Sequence, residues 1–285
     1  MYNLTDTETV KRILTRNGFH FSKSLGQNFI INPDVCPRMA SECGADGESG
    51  VIEVGPGFGV LTMELAQQAK KVVSIELDTR LLPILEDTLS DFDNVKVIND
   101  DILKINLPEL IEKEFAGMDI YICANLPYYI TSPVIMMLLE SKLPVKAITV
   151  MVQKEAADRL CAKVGSRDSG AVTAAVNYYA EAQKLFDVKK GSFMPAPKVD
   201  SSVIRMNIRE KPPVEVSDEK LFFDIVKAAF GQRRKTALNS LSSGLGISKE
   251  KISSALEKCG FDTNVRAETM TMEDYAALCE AIKFG

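Results

Sequence analysis

The sequence predicts an α/β chain: a mainly parallel sheet with helices on both faces, an antiparallel strand pair at its end, and a small C-terminal helical domain. Three observations carry this. Strand-sized apolar runs alternate with helical patterns between residues 50 and 152. Polar side chains recur at the ends of successive runs, Glu53, Glu76, Asp101 and Asn125, at separations of 23, 25 and 24 residues, about the chain one βα unit consumes. Two further strand patterns, at 178–188 and 201–209, are joined by a connection too short for a helical crossover.

Taken in order, residues 7–17 read as a helix, with Val10, Ile13 and Leu14 at helical spacing and Gly18 as a stop. Residues 50–54 read as a buried strand, followed by a glycine-rich turn and a helix through Lys70. The runs 71–77, 95–99, 118–124 and 147–152 continue the alternation. Residues 210–215, Glu-Lys-Pro-Pro-Val-Glu, read as a linker. Beyond it Leu221, Phe222, Ile225, Val226, Ala229 and Phe230 form a helical stripe. Two later helices begin near Ser248 and Thr271, the second with Asp274 completing an approximate capping box. At 285 residues the chain exceeds one ordinary domain, so we expect a large domain over 1–210 and a small helical one over 211–285.

Composition is that of an ordinary soluble protein, 46% apolar and 26% charged. The first six residues have neither a basic nor an apolar region, so no secretory signal is expected. The longest apolar runs are too short to span a bilayer. The 6 cysteines, at 36, 43, 123, 161, 259 and 279, include no Cys-x-x-Cys pair, and the single histidine is His20. Neither a disulfide framework nor a metal site is expected, and a reduced cytosol fits best. Cys123 falls in a strand pattern and Cys161 and Cys279 in helical ones, as small buried hydrophobes.

The net charge of −5 does not advertise a nucleic-acid binder, but an average can hide a patch. Residues 183–211 carry seven positive and three negative side chains, a local net charge of +4. Lys227, Arg233, Arg234 and Lys235 add a second basic cluster. Two such clusters suggest an electrostatic footprint for nucleic acid, Lys198, Arg233, Arg234 and Lys235 being its expected contacts.

The segment Glu53-Val54-Gly55-Pro56-Gly57-Phe58-Gly59 joins the first core strand to its helix. Its glycines allow a tight turn and close approach of backbone to a ligand. Dinucleotide folds use a similar turn. Here the glycines fall as G-x-G-x-G behind an acid in the strand, and Pro56 removes a backbone donor. That suits an adenosyl ligand carrying an amino acid better than a pyrophosphate, which uses every available N–H. Glu76 is placed to accept from ribose hydroxyls, and Asp101 from an adenine amino group.

Asn125-Leu126-Pro127-Tyr128-Tyr129 follows directly on an apolar strand. An adenine amino nitrogen is a poor nucleophile because its lone pair is delocalised into the ring. The Asn125 side-chain oxygen and the Leu126 carbonyl can hold both of its N–H bonds and favour a pyramidal nitrogen. Pro127 stiffens the turn, and Tyr128 can stack on an extruded base. Catalysis of methyl transfer from a sulfonium then becomes mostly positioning, with no dedicated strong base.

These residues give the chain its likeness. It resembles the ribosomal RNA adenine dimethylases, in particular their small-subunit (16S) branch, over essentially its whole length. The likeness is carried by Lys23-Ser24-Leu25-Gly26-Gln27-Asn28-Phe29, the Glu53 to Gly59 loop, Asn125 to Tyr129, and Met151-Val152-Gln153-Lys154-Glu155. It continues through Phe193-Met194-Pro195-Ala196-Pro197-Lys198-Val199-Asp200-Ser201 and Phe230-Gly231-Gln232-Arg233-Arg234-Lys235-Thr236. The resemblance implies a Rossmann-like methyltransferase sheet with S-adenosyl-L-methionine as cofactor. It implies cofactor contacts from Asn28, the Ile30 backbone, Gly55, Gly57, Glu76, Leu77, Asp101, the Ile102 backbone and Asn125. It also implies that Phe193 packs against the target base opposite Tyr128. The implied reaction yields N6,N6-dimethyladenosine at two adjacent adenosines near the 3′ end of 16S rRNA, during small-subunit biogenesis. The implied partner is 16S rRNA in a small ribosomal subunit or its precursor, met by a cytoplasmic monomer. Asp100 stands where relatives often have glutamine, leaving two adjacent carboxylates for one role, and Ala237 and Leu238 soften a segment often more basic.

Four other readings compete. The antibiotic-resistance methylases of large-subunit RNA share the Asn-x-Pro-Tyr motif, but Gln232 to Lys235 and the 193–201 segment favour the small-subunit branch. DNA adenine methylases usually carry Asn/Asp-Pro-Pro-Tyr and a separate target-recognition region. A ribosome-assembly factor would need the same basic surfaces. A nicotinamide oxidoreductase is disfavoured by the glycine spacing and by Asn125-Leu126-Pro127-Tyr128.

Overall fold

The alternating runs fold into a seven-stranded sheet in a computed structural model that describes residues 2–22, 26–232 and 234–285. In chain order the strands are β1 (Phe29–Ile30), β2 (Gly50–Val54), β3 (Lys71–Glu76), β4 (Val95–Asn99), β5 (Ile120–Asn125), β6 (Val145–Gln153), β7 (Ala180–Val188), β8 (Phe193–Met194) and β9 (Ser201–Ile208). The main sheet has the order β4-β3-β2-β5-β6-β9-β7, and β1 pairs antiparallel with β8 in a separate two-stranded ribbon. Strands β2 to β6 are parallel to their neighbours, and β9 reverses, pairing antiparallel with β6 from Ala147↔Asn207 to Gln153↔Ser201. The order turns around at β2, which has β3 on one side and β5 on the other. The connections leaving β2 and β5 therefore diverge and open a crevice at the strands' carboxyl ends.

Helix α1 (Thr7–Arg16) precedes β1, and α2 (Val35–Cys43), α3 (Val60–Gln68), α4 (Leu82–Thr88), α5 (Leu107–Phe115), α6 (Thr131–Glu140) and α7 (Lys154–Leu160) follow β1 to β6 in turn. One sheet face, with Val51, Val72, Cys123, Met151 and Val203, is buried with Cys36, Met39 and Ala40 of α2 and Leu61 and Leu65 of α3. The stripe foreseen on α1, Val10, Ile13 and Leu14, packs with Phe19, Phe29, Phe58, Ile84 and Leu85. All six cysteines are free thiols. Cys279 is buried, whereas Cys161 lies just beyond α7 and is partly exposed.

The chain divides into two compact units, residues 1–157 with 182–208, and residues 158–181 with 209–285. The boundary expected at 210 misses a contribution from earlier in the chain, α8 (Ala171–Tyr179). Tyr178 and Tyr179, read from the sequence as the start of a strand, instead end this helix. Tyr178 is 3% exposed and packs 5.3 Å from the Phe222 ring, so α8 belongs with the second unit's core. That unit also holds α9 (Glu219–Phe230), α10 (Ala237–Leu245), α11 (Lys249–Lys258) and α12 (Met272–Phe284). Ser248 and Thr271 are the N-caps of α11 and α12, and Asp274 completes the capping box by accepting from the Thr271 N–H at 2.8 Å. Gly244 lets α10 lie close on α9: a Cβ there would sit 2.5 Å from the Ala228 Cβ.

Two core positions in β2 have measurable consequences. Glu53 lies one residue inside β2 and Asp101 two residues beyond the end of β4, so of the four spaced polar residues only Glu76 and Asn125 end their strands. Glu53 is 1% exposed. Its Oε2 accepts from Ser74 Oγ at 2.6 Å and Thr62 Oγ1 at 2.7 Å, while Oε1 has no protein partner. Burial raises its carboxyl to about 7, more than the two hydroxyl donors lower it, and the Glu76 charge adds to the rise. Between about pH 4.5 and 7 the folded state thus holds a proton that the unfolded state has lost, so this residue makes stability fall as pH rises. In denaturant titrations across that window, Glu53→Gln should remove a slope of up to ~1.4 kcal/mol per pH unit. Identical slopes in wild type and variant would contradict a protonated Glu53.

Gly50 opens β2 directly beneath Phe115, which is 1% exposed, and a Cβ on Gly50 would overlap that ring. Gly50→Ala should destabilise by about 1–3 kcal/mol through overpacking, and Phe115→Ala by about 3–5 kcal/mol through the cavity it leaves. Because each change relieves the other's defect, the double variant should cost less than the sum. Additive midpoints in urea would show that the ring and the glycine are not in contention.

Candidate active site

The crevice holds a cavity of about 320 Å³ in the first unit. Its wall is assembled from residues 26–30, the loop after β2, the end of β3, residues 100–103 after β4, and residues 125–130 after β5. Of the residues singled out from the sequence, Asn28, Ile30, Gly55, Gly57, Glu76, Leu77, Asp101, Ile102, Asn125, Leu126 and Tyr128 all line it. Their convergence follows from the sheet: each belongs to a strand's carboxyl end or the segment just beyond, except those in 26–30, which β1 carries in.

The glycine-rich loop is held by aromatic packing. Phe58 stacks on Phe29 at 3.8 Å between ring centroids, with Phe19 edge-on to both. A Cβ on Gly57, whose φ is +61°, would come within 2.9 Å of the Phe29 ring. Gly55 has φ +70° and faces open space. The loop is thereby bent tightly and its inner surface stripped of side chains.

Glu76 is 6% exposed. Its Oε1 accepts from the Asp78 N–H at 2.8 Å and its Oε2 from the Gly57 N–H at 3.3 Å. Burial raises its affinity for a proton, and those backbone donors oppose the rise. Asp78 in turn is pinned by Arg80 and by Gln27 Nε2 at 2.8 Å, and the Arg80 guanidinium holds its carboxyl below the usual range. Gln27 thus ties the 26–30 segment to the end of β3, a link that sequence reading missed. The pair Glu76-x-Asp78 directly after a strand was the available clue.

Asp101 turns back on its own backbone, Oδ1 accepting from the Leu103 N–H at 3.0 Å, with Lys104 3.4 Å from Oδ2. Asp100 is exposed and accepts from the Asp101 N–H at 2.7 Å. Both border the cavity.

Asn125 ends β5, and its Nδ2 donates to the Asn28 carbonyl at 3.2 Å. The donor end of the amide is committed to protein, which leaves Oδ1 as the acceptor for an incoming amino group. The Leu126 N–H donates to the Met151 carbonyl at 3.3 Å, fixing the peptide unit that leads into the Leu126 carbonyl. Tyr128 is half-buried and its hydroxyl lies 2.8 Å from Ser201 Oγ, tethering the ring to β9; burial raises its phenol.

Phe193 does not join this group. It is 3% exposed, pairs with Ile30 in the β1–β8 ribbon, and lies in the apolar cluster with Val35, Met151 and Val203, outside the cavity wall. Its position is that of a core residue supporting Ile30 from behind.

Several cations in and beside the basic segment are held by carboxylates or by backbone. Lys154 lies 2.6 Å and Lys184 3.7 Å from Asp187, Lys189 2.9 Å from Asp200, and Arg209 2.8 Å from Glu181. Arg205 donates to the Glu42 carbonyl at 3.0 Å at the end of α2. Lys198 is exposed on the loop after β8, and Arg234 and Lys235 are exposed ahead of α10; Arg233 lies outside the described residues.

Among the described residues the cavity wall carries four carboxylates, Glu53, Glu76, Asp100 and Asp101, and no basic side chain. Such a lining repels a pyrophosphate and suits a cation.

Comparison with known proteins agrees with this geometry. Residues 18–283 match the ribosomal RNA adenine dimethylase family. The chain is 51% identical over 276 residues to the ribosomal RNA small subunit methyltransferase A of Geobacillus thermodenitrificans, covering 95% of this chain and 94% of that protein. Among solved structures, the 23S rRNA methyltransferase ErmE is 26% identical with a TM-score of 0.67, over 90% of this chain and 100% of that one. A dimethyladenosine transferase from Plasmodium falciparum is 23% identical with a TM-score of 0.70, over 88% and 95%, and shares the fold. The chain belongs to the ribosomal RNA adenine dimethylases and is a methyltransferase.

Proposed function

We propose that the protein transfers methyl groups from S-adenosyl-L-methionine to the N6 amino group of adenosines in small-subunit (16S) rRNA, giving N6,N6-dimethyladenosine in the cytoplasm. The observation that carries this is one cavity whose described lining holds four carboxylates and no cationic side chain, with Asn125, Leu126 and Tyr128 at its edge. Its 320 Å³ is within the usual range for small ligands, and the bare glycine turn admits close backbone approach. Glu76 would hold the ribose hydroxyls, Asp101 the adenine amino group, and residues 28 and 30 with Gly55 and Gly57 the amino-acid end. When bound, the cofactor supplies an electrophilic methyl group on a positively charged sulfur.

The chain's own part is positioning. Asn125 Oδ1 and the Leu126 carbonyl accept the two amino N–H bonds of the target adenine, drawing its lone pair out of conjugation. Tyr128, tethered through Ser201, presents its ring to the extruded base. The small-subunit reading is favoured over the large-subunit one by 51% identity across nearly the whole of both chains, against 26% for the large-subunit enzyme. Lys198, Arg233, Arg234 and Lys235 would meet RNA phosphates.

Three variants test this. Glu76→Ala should weaken cofactor binding by about 1–3 kcal/mol in calorimetry, the cost of stranding hydroxyls that had a charged partner; unchanged affinity would remove Glu76 from the ribose. Asn125→Ala should lower methyl transfer to small-subunit rRNA by about 100-fold or more, through loss of a preorganised acceptor. Tyr128→Ala should spare cofactor affinity and slow the second transfer more than the first, because the monomethylated nitrogen keeps only one N–H to direct it. Mass spectrometry of the nucleosides should show monomethyladenosine accumulating, and a normal dimethyl ratio would rule out base clamping by that ring.

A further inference from the structure

The residue after this motif is unused by the mechanism above. Tyr129 is 55% exposed, one of the largest apolar surfaces left to solvent on the first unit, and it stands in the wall of the cavity beside Tyr128. Its ring is not loose. The Tyr128–Ile130 turn is closed by Ile130 N–H donating to the Pro127 carbonyl at 3.1 Å. Gly26 lies against one side of the ring: a Cβ there would fall 3.2 Å from ring atom Cδ1, and its φ of +58° also favours glycine. An aromatic face backed on one side by Gly26 and open to solvent in the wall of the cavity is a ready surface for another ring to stack on.

We propose that the Tyr129 ring is a stacking platform for the RNA base adjoining the adenine under methylation. This rests on the reading of function given above. When an adenine leaves its stack to reach Asn125, the neighbouring base loses a stacking partner and must stay outside the cavity, at the mouth where Tyr129 stands. An aromatic face replaces the lost stack for any base, since every base offers a π-face. Tyr128 would then hold the reacting adenine and Tyr129 its neighbour, so that Tyr129 acts on RNA capture and leaves the cofactor alone.

The competing role is a peg that keeps residues 26–28 in place, since Asn28 also carries the carbonyl that orients Asn125. Steady-state kinetics of the full-length chain separate the two, with small ribosomal subunits from cells lacking this methylation as the probe and calorimetry for S-adenosylmethionine. Tyr129→Ala should raise KM for the particles by about tenfold with kcat and cofactor affinity unchanged, and Tyr129→Phe should restore the wild-type KM. A Tyr129→Ala enzyme with wild-type KM would overturn the proposal. So would a loss of cofactor affinity matching the loss of activity, or a failure of Phe to rescue. Wild-type chain that cannot methylate adenine in these particles would overturn the reading of function and the role of Tyr129 with it. An active wild type and an equally active Ala variant would remove Tyr129 alone.

Discussion

The constraint on which the rest depends is the reversal of strand order at β2. Parallel pairing obliges β2, β3, β4 and β5 to end on the same side, and the reversal leaves an open crevice between diverging connections. Glu76 and Asn125 are then delivered by strand termini whose positions are fixed by ladder hydrogen bonds, and Asp100, Asp101 and Tyr128 by the segments just beyond such termini. The antiparallel β9 supports the far side, where Ser201 reaches Tyr128. Segment 26–30 supplies what the sheet cannot. Besides the pairing of β1 with β8, it is held by the Phe29–Phe58 stack, by Gln27 on Asp78 and by Asn125 on the Asn28 carbonyl, three contacts to the ends of three strands of the main sheet.

Crowding carboxylates into one pocket has an electrostatic cost, and the protein meets it differently for each. Asp101 and Asp100 sit where water and backbone N–H groups satisfy them. Glu76 is buried but takes two backbone donors. Glu53, deepest of the four, has only two hydroxyls on one oxygen and answers by holding its proton to about 7. Its Oε1, without a protein partner, is the least satisfied polar atom beneath the site. A cation arriving in the cavity would favour the ionised form of every one of these acids, so the charge repelled in the free protein becomes attraction in the complex.

Much of this was legible in the sequence because local rules governed it. The even spacing of Glu76, Asp101 and Asn125 marked two strand ends and the turn just past a third, and the glycine pattern marked another turn; both survive in three dimensions since each depends on residues close in sequence. What escaped depended on distant partners. Phe193 lies in a Pro-rich loop, where an aromatic suggests exposure, yet a two-residue ladder with β1 buries it, and so short a strand has no periodicity to read. The charge count over 183–211 left out Glu181, two residues before the window, which is the partner of Arg209. Helix α8 ran directly into β7 without a breaking residue, so its end was read as strand.

The choice of asparagine rather than aspartate at position 125 follows from the same electrostatics. A carboxylate would accept more strongly from an amino group. In a pocket already bearing four acids, however, a fifth would be pushed toward its protonated form, and a protonated acid donates where an acceptor is required. It would also lose the Nδ2 donor that anchors the side chain on the Asn28 carbonyl at 3.2 Å. An amide keeps a fixed donor end and a fixed acceptor end at any pH, and its orientation is set by the same segment that lines the cavity. Coupling the acceptor's direction to that segment means that an ordered cavity and an aligned acceptor are one structural condition, not two.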